Sequence, residues 1–137
     1  MIVLDASVVL AWCFEDEQSD YADHVAGLLE SDGAIAPSIL PFELANALGS
    51  AERRARLSAD AIPQLRYLLG ALPIEIEPIS LRASLDPILE VARAFRLSAY
   101  DAAYLELARR LRLPLATLDD HLRDAAGSAD VSLVDRA

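Results

Sequence analysis

The sequence of 137 residues is long enough for one domain with a substantial core and too short for two such domains. Hydrophobic residues make up 54% of it, which excludes general disorder. The net charge of −10 argues against broad electrostatic attraction to nucleic acid and favours metal cations or a basic partner. The chain contains arginine but no lysine, which excludes Schiff-base chemistry and a P-loop.

Nothing in the sequence predicts a membrane segment or a secretion signal. The longest uninterrupted apolar run, Val8 to Phe14, is too short to cross a bilayer. The apolar N-terminus lacks a basic region and is interrupted by Asp5, so we expect a cytoplasmic protein with no membrane partner. Cys13 is the single cysteine, which excludes an internal disulfide. We expect its side chain to serve as a small, buried hydrophobic group.

Short apolar runs alternate with helical patterns along the whole chain. Continuous apolar runs are typical of buried parallel strands, and Gly33 and Pro41 mark a helix end and a helix start. The pattern predicts an α/β fold with a mainly parallel sheet between helical layers, in one domain over residues 1–137. Predicted strands cover 2–4, 34–36, 74–77 (an edge strand), 115–118 and 131–134, and predicted helices cover 6–12, 21–32, 40–56, 58–72, 81–95, 98–113 and 119–126.

The helix that begins at Ser98 organises this pattern. Ser98 is a candidate N-cap, and Asp101 follows at capping-box spacing. Taken alone, Asp101 is explained as a cap or as a partner of the helix dipole. The helix is predicted to bury one apolar stripe, made of Tyr100, Ala103, Tyr104, Leu107, Ala108 and Leu111.

Three other acids occupy places that correspond to that of Asp101. In right-handed β-α-β units, strand ends and the starts of the following helices meet at one edge of the sheet, where ligands bind. Like charges repel there, and hard divalent cations are the simplest reason to keep them together. Mg²⁺ or Mn²⁺ would then activate water against a phosphodiester. The four predicted acidic ligands and catalytic residues are Asp5, Glu43, Asp101 and Asp119.

Two hydroxyl residues, Ser7 and Thr117, are predicted to orient the acids or their waters as outer partners. Thr117 and Asp120 have capping-box spacing, so we assign the helix cap to Asp120 and the metal to Asp119. His121 follows these acids, but a general base is not required where a metal activates water.

Four segments, M-I-V-L-D-A-S-V-V-L-A-W, P-F-E-L-A-N-A-L, L-S-A-Y-D-A-A-Y-L and L-P-L-A-T-L-D, resemble PIN-domain proteins, and more closely VapC-type toxins of type II toxin–antitoxin systems. The resemblance covers nearly the whole chain, in order. It implies a five-stranded parallel sheet in the order 3-2-1-4-5 and a Mg²⁺- or Mn²⁺-dependent endoribonuclease with Asp5, Glu43, Asp101 and Asp119 as its acidic site. It also implies a homodimer and neutralisation by a VapB-like antitoxin.

Alternatives remain at this point. A housekeeping PIN nuclease acting on ribosomal RNA precursors or DNA, and a catalytically silent PIN binding module, share the fold. A phosphoacceptor receiver domain would need a lysine, which the chain lacks.

The helix of residues 58–72 is the candidate for a two-fold contact between copies of the chain. Two arginine clusters are either solvated helix ends or phosphate contacts: Arg53, Arg54 and Arg56, which are the favoured RNA contacts, and Arg109, Arg110 and Arg112.

Overall fold

The computed structural model describes residues 1–136, so the last residue of the predicted 1–137 domain lies outside it. Strands and helices alternate along these residues, as the sequence predicts, and a 3₁₀ helix covers Glu15–Glu17. The strands are β1 Ile2–Leu4, β2 Ala34–Pro37, β3 Ile74–Glu77 and β4 Leu115–Ala116. The helices are α1 Ala6–Cys13, α2 Asp20–Asp32, α3 Leu40–Arg53, α4 Ala61–Gly70, α5 Leu81–Phe95, α6 Ala99–Leu111 and α7 Asp120–Ser128.

Within the described residues the sheet has four strands, all parallel, in the order β3-β2-β1-β4. Ile2, Val3 and Leu4 of β1 are all buried. Since successive side chains of a strand point to opposite faces, both faces of the sheet are covered, as in a helix-sheet-helix sandwich. The chain crosses from β3 past β1 to reach β4, so β1 and β4 flank a topological switch point.

The predicted fifth strand at 131–134 is wrong as a strand. This segment lies beside β4, the place predicted for strand five, but Leu133 forms a single parallel bridge to Leu115. The pairing stops early because β4 itself ends at Ala116. The next residue, Thr117, accepts a hydrogen bond from the backbone N–H of Asp119 through its hydroxyl, which turns the chain out of the sheet.

Helix α6 packs against β1, β2 and β4, and its buried side differs from the predicted stripe. Tyr100 is 62% exposed, whereas Ala102 and Leu105 are fully buried. Tyr104, Leu107 and Ala108 of the predicted stripe are buried, so the buried side overlaps that stripe but is turned by about one residue around the helix axis. Tyr100 stands in the first turn of the helix and is not covered. Leu111, at the opposite end, is likewise exposed.

A second, smaller core joins α1, α3 and α4. It consists of buried Phe14, Leu48 and Ala51 with partly buried side chains, among them Cys13, packed around it. Ile62, Leu65 and Leu69 of α4 pack against this cluster, so that helix uses part of its apolar stripe inside the molecule. No helix of the described residues combines the length and the apolar character that crossing a bilayer would require.

Candidate metal centre

Asp5 occupies the base of a crevice at the carboxyl edge of the sheet. The buried run of β1 ends immediately before it, and its carboxylate caps α1 by accepting from the backbone N–H of Ser7 at 3.4 Å. The same oxygen, Oδ2, accepts from the hydroxyls of Ser7 at 2.6 Å and of Thr117 at 2.8 Å. Asp5 is 5% exposed, so these bonds supply the hydrogen bonding that water would otherwise provide.

The two hydroxyl residues connect the ends of neighbouring strands. Ser7 Oγ accepts from the backbone N–H of Leu118 at 2.9 Å, and Thr117 Oγ1 accepts from that of Asp119 at 3.0 Å. Because each oxygen receives a backbone hydrogen bond, its own proton is directed towards Asp5. Ser7 and Thr117 therefore hold the Asp5 carboxylate in one orientation, which is the geometry expected of outer partners of a metal ligand.

Glu43 projects from the first turn of α3, which also contains Pro41 as predicted. Its Oε1 accepts a hydrogen bond of 2.7 Å from the hydroxyl of Tyr104, on α6. The apolar pattern of α6 predicts Tyr104 only as a core residue and gives no indication of this contact. The available signal was a tyrosine rather than a phenylalanine at a core position, since a buried phenol needs a polar partner.

Asp101 and Asp119 come from two helix starts. The backbone N–H of Asp101 is bonded to Ser98 Oγ at 3.2 Å, so Ser98 caps α6 as predicted. Asp119 Oδ1 accepts from the backbone N–H of Leu122 at 2.8 Å and is the N-cap of α7. Assigning this cap to Asp120 was wrong, because the Thr117 hydroxyl is already used by Asp5 and by the Asp119 amide. Asp120 is instead the exposed first residue of the helix.

The four acids affect one another electrostatically. Burial is the main cause that raises the pKa of Asp5, Glu43 and Asp101 above their ordinary values. The charges of Asp5 and Asp101 raise the pKa of Glu43 further, and those of Asp119 and Asp5 raise the pKa of Asp101. The four predicted acids are therefore close enough to influence one another at this edge of the sheet, in the region that we call the crevice.

The crevice offers oxygen donors of the kind that Mg²⁺ and Mn²⁺ prefer. Glu43 and Asp119 each have one oxygen engaged by the protein, whereas the second oxygen accepts no hydrogen bond from residues 1–136. The engaged atoms are Oε1 of Glu43 and Oδ1 of Asp119, and Oδ2 of Asp5 is engaged by Ser7 and Thr117. In the described residues, no three acidic, histidine or cysteine side chains lie close enough together to hold a metal ion as they stand. An open set fits Mg²⁺, which keeps several waters and shares its coordination with substrate phosphates.

Positive charge is sparse around these acids. His121 lowers the pKa of Asp101 through its charge, and its Nε2 lies 3.1 Å from the carbonyl oxygen of Arg96. Arg56 is bonded to Asp16 at 2.9 Å and Glu17 at 3.3 Å, so its guanidinium is already engaged.

The other predicted basic residues lie on helix surfaces. Arg110 is bonded to Glu77 at 2.6 Å and Glu106 at 2.7 Å, and Arg109 and Arg112 are exposed near it. Arg53 and Arg54 are exposed at the end of α3. Ten residues of helical rise, about 15 Å, separate Arg53 from Glu43. Arg53 and Arg54 are therefore placed to meet a phosphate distant from the acids, not the one at the acids.

Comparison with known proteins identifies the family of this fold. The sequence matches the PIN domain family over residues 2–128. A crystal structure of PAE2754 from Pyrobaculum aerophilum is similar, with 25% sequence identity and a TM-score of 0.68, over 90% of this chain and 78% of that one. No curated protein is significantly similar to this chain. With its parallel sheet and four convergent acids, the chain belongs to the PIN domain family, whose members are typically metal-dependent nucleases.

Proposed function

We propose that this protein is a Mg²⁺- or Mn²⁺-dependent endoribonuclease toxin of the VapC type. The observation that carries the proposal is the electrostatic coupling of the acids at the carboxyl edge of the sheet. Burial raises the pKa of Asp5, Glu43 and Asp101, and neighbouring acids raise the pKa of Glu43 and Asp101 further. A cluster of this kind is costly without a cation. The order of the four motifs along the sequence supports the toxin subclass.

The chemistry follows from how the side chains are held. Asp5, Glu43, Asp101 and Asp119 would bind the ion, directly or through water. When bound, a divalent cation of this kind supplies an activated water and offsets charge that develops on the phosphodiester. The protein fixes Asp5 through Ser7 and Thr117, and it fixes Glu43 through Tyr104. These contacts orient the ligands before any substrate arrives.

Substrate binding should depend little on general attraction between charges. The chain carries 22 acidic residues against 12 arginines, and Arg56 and Arg110 are already in ion pairs. A nuclease of this charge would hold RNA mainly where a phosphate meets the metal and by a few local contacts. The salt dependence of RNA binding should accordingly be shallow compared with that of a basic RNA-binding protein.

A cleavage panel tests the activity. The purified protein would be incubated with single-stranded RNA, structured RNA, total cellular RNA and DNA, each with Mg²⁺, Mn²⁺ or a chelator. Internal cleavage of RNA that requires the metal and is lost in Asp5→Asn is the expected result. Cleavage of DNA at a comparable rate would point to a different nuclease role. Absence of any cleavage with either metal would contradict the enzymatic proposal.

We propose a VapB-like antitoxin as the protein partner. The acids meet no arginine side chain in the residues described, and a guanidinium binds carboxylates in a bidentate manner. An arginine from the antitoxin would enter the crevice, displace the metal and block the substrate. Replacing the basic residues of the segment that covers the site should therefore restore RNase activity to the complex. Full inhibition by such a variant would show that the antitoxin acts elsewhere.

We also propose a homodimer, but with a contact that differs from residues 58–72. Part of the α4 stripe already packs against the second core, as described above. Helix α5 carries three exposed leucines, Leu81, Leu85 and Leu89, whereas α4 exposes two large apolar side chains, Tyr67 and Leu68. Its Ile88 lines an apolar groove of about 240 Å³ together with Phe42 and Tyr100. An apolar face of this kind is typical of an interface between copies.

Light scattering tests the dimer. Wild type is expected to be dimeric at micromolar concentration, and Leu85→Glu is expected to be monomeric. Leu68→Glu is the matched control, because Leu68 is 61% exposed on α4 and outside this face. A dimer that survives Leu85→Glu and is lost in Leu68→Glu would return the contact to α4. A monomeric wild type would contradict the dimer altogether.

A further inference from the structure

Tyr104 is a fully buried polar residue that the metal chemistry described above does not itself require. It lies in the middle of α6 with its side chain 0% exposed, between Ala103 and Leu105. Its hydroxyl donates to Glu43 Oε1 at 2.7 Å, since a carboxylate can only accept. Burial excludes contact with a substrate, so any effect of Tyr104 on the site must pass through the residues that it touches.

The contact solves a problem specific to Glu43. A glutamate has one more side-chain torsion than an aspartate, so its carboxylate can occupy more positions around the crevice. Asp119 is fixed by a backbone group close to it in sequence, and Asp5 is fixed by Ser7 nearby as well as by the more distant Thr117. Glu43 has no such local partner among the hydrogen bonds of the described residues. Its carboxylate is held instead from a second helix, by Tyr104.

Tyr104 also lies where three site-bearing elements meet. Its own helix carries Asp101 in the first turn, its hydroxyl holds Glu43 of α3, and the charge of Asp5, which follows β1, helps to raise the pKa of that hydroxyl. The hydroxyl is thus a buried polar group that contacts Glu43 directly and lies within electrostatic reach of Asp5. One group at this position fixes the distance between α3 and α6 on the side where the ion would bind.

We propose that Tyr104 is a positioning residue that presets Glu43 as a metal ligand by holding one of its oxygens and leaving the other free. This inference rests on the proposed function, because it takes Glu43 to be a ligand of the ion. It predicts that removing the hydroxyl alone weakens metal binding, although the hydroxyl never touches the metal or the RNA. Outer partners of metal ligands typically contribute 10- to 100-fold in affinity, and we expect a loss of roughly that size.

The test compares two matched variants. Tyr104→Phe removes the hydroxyl that holds Glu43. Tyr21→Phe removes another buried tyrosine hydroxyl, which donates to the carbonyl oxygen of Val134 at 3.2 Å and does not touch an acid. Both variants keep the ring, and circular dichroism checks that both fold. Mn²⁺ affinity would be measured without RNA, by isothermal titration calorimetry and by the electron paramagnetic resonance signal of free Mn²⁺. A roughly 10- to 100-fold loss in Tyr104→Phe alone is expected.

A third comparison shows whether the effect passes through Glu43. In a Glu43→Gln background, Tyr104→Phe should weaken Mn²⁺ binding no further, whereas independent effects would multiply. Raising the Mn²⁺ concentration to saturation should return most of the kcat of Tyr104→Phe. Three results would each overturn this inference and leave the proposed metal site standing. They are an unchanged Mn²⁺ affinity in Tyr104→Phe, an equal loss of affinity in both tyrosine variants, and a further loss when Tyr104→Phe is added to Glu43→Gln. A wild type that binds no Mn²⁺ would overturn both this inference and the proposed metal site.

Discussion

Asp119 has two roles that substitutions can separate. Its Oδ1 accepts the backbone N–H of Leu122 and caps α7, and its charge raises the pKa of Asp101 across the crevice. Asparagine caps a helix about as well as aspartate, whereas alanine does not. Asp119→Asn should therefore remove the charge and keep the cap, and Asp119→Ala should remove both. Asp120→Ala is the control, because Asp120 is exposed in the first turn of the same helix.

The expected sizes follow from these contacts. Loss of an N-cap costs about 0.5–2 kcal/mol of unfolding free energy, which in a domain of this length lowers the melting temperature by about 4 °C per kcal/mol. Asp120→Ala should lose only the interaction with the helix dipole, about 0.3–1 kcal/mol. A cation at a hundredfold excess over its Kd adds about 2.7 kcal/mol to wild type. Both Asp119 variants should lose most of that gain.

Thermal melting with and without Mn²⁺, followed by RNA cleavage assays, measures all three variants. In the absence of metal, Asp119→Asn should melt near wild type and Asp119→Ala several degrees lower. Both should be nearly inactive, and Asp120→Ala should retain the cleavage rate and the metal-dependent rise. An active Asp119→Asn with a full rise would refute the assignment of Asp119 to the metal. An Asp119→Ala as stable as wild type would refute the cap.

Two further predictions concern charge. In metal-free protein, the raised pKa values of Asp5, Glu43 and Asp101 mean that the folded state binds more protons than the unfolded state, so the unfolding free energy should fall as pH rises from about 4 towards 7. Denaturant titrations at several pH values, with a chelator present, should show a smaller fall of the unfolding free energy in Asp101→Asn than in wild type. The same dependence on pH in both proteins would contradict this. Arg56→Ala should leave RNA cleavage unchanged, because the Arg56 guanidinium is engaged by acids. Arg53→Ala should remove a phosphate contact and so reduce the salt dependence of RNA binding.

Secondary structure was predictable wherever one local rule decided it. The buried run of β1, Gly33 after α2 and Ser98 before α6 each define an element end through its own residues, and the structure agrees with all three. The segment 131–134 has an equally good strand pattern but forms one bridge. Its pairing depends on the length of β4, which a turn at Thr117 limits. That turn belongs to the site, so the site determines where the sheet ends.

The positions of the acids were predictable because the topology alone brings strand ends and helix starts to one edge. The hydrogen bonds between them were less predictable. The Thr117–Asp120 spacing suggests a capping box, yet the Thr117 hydroxyl serves Asp5, 112 residues away in the chain. The bond from Tyr104 to Glu43 likewise spans 61 residues. Local spacing carries no information on such long-range competition for one hydroxyl group.

The way in which the acids are held argues for a ligand and against a purely structural cluster. A cluster selected only for stability would saturate both oxygens of each carboxylate or include an arginine, since unpaired charge at a half-buried site is costly. Glu43, which is half-buried, and Asp119, which is exposed, instead have one oxygen bonded to the protein, and the other accepts no hydrogen bond from residues 1–136. The bonded oxygen fixes each side chain beforehand, so a cation that binds the second oxygen orders little that was mobile. Stability lost in the metal-free fold is thereby converted into affinity for the cation.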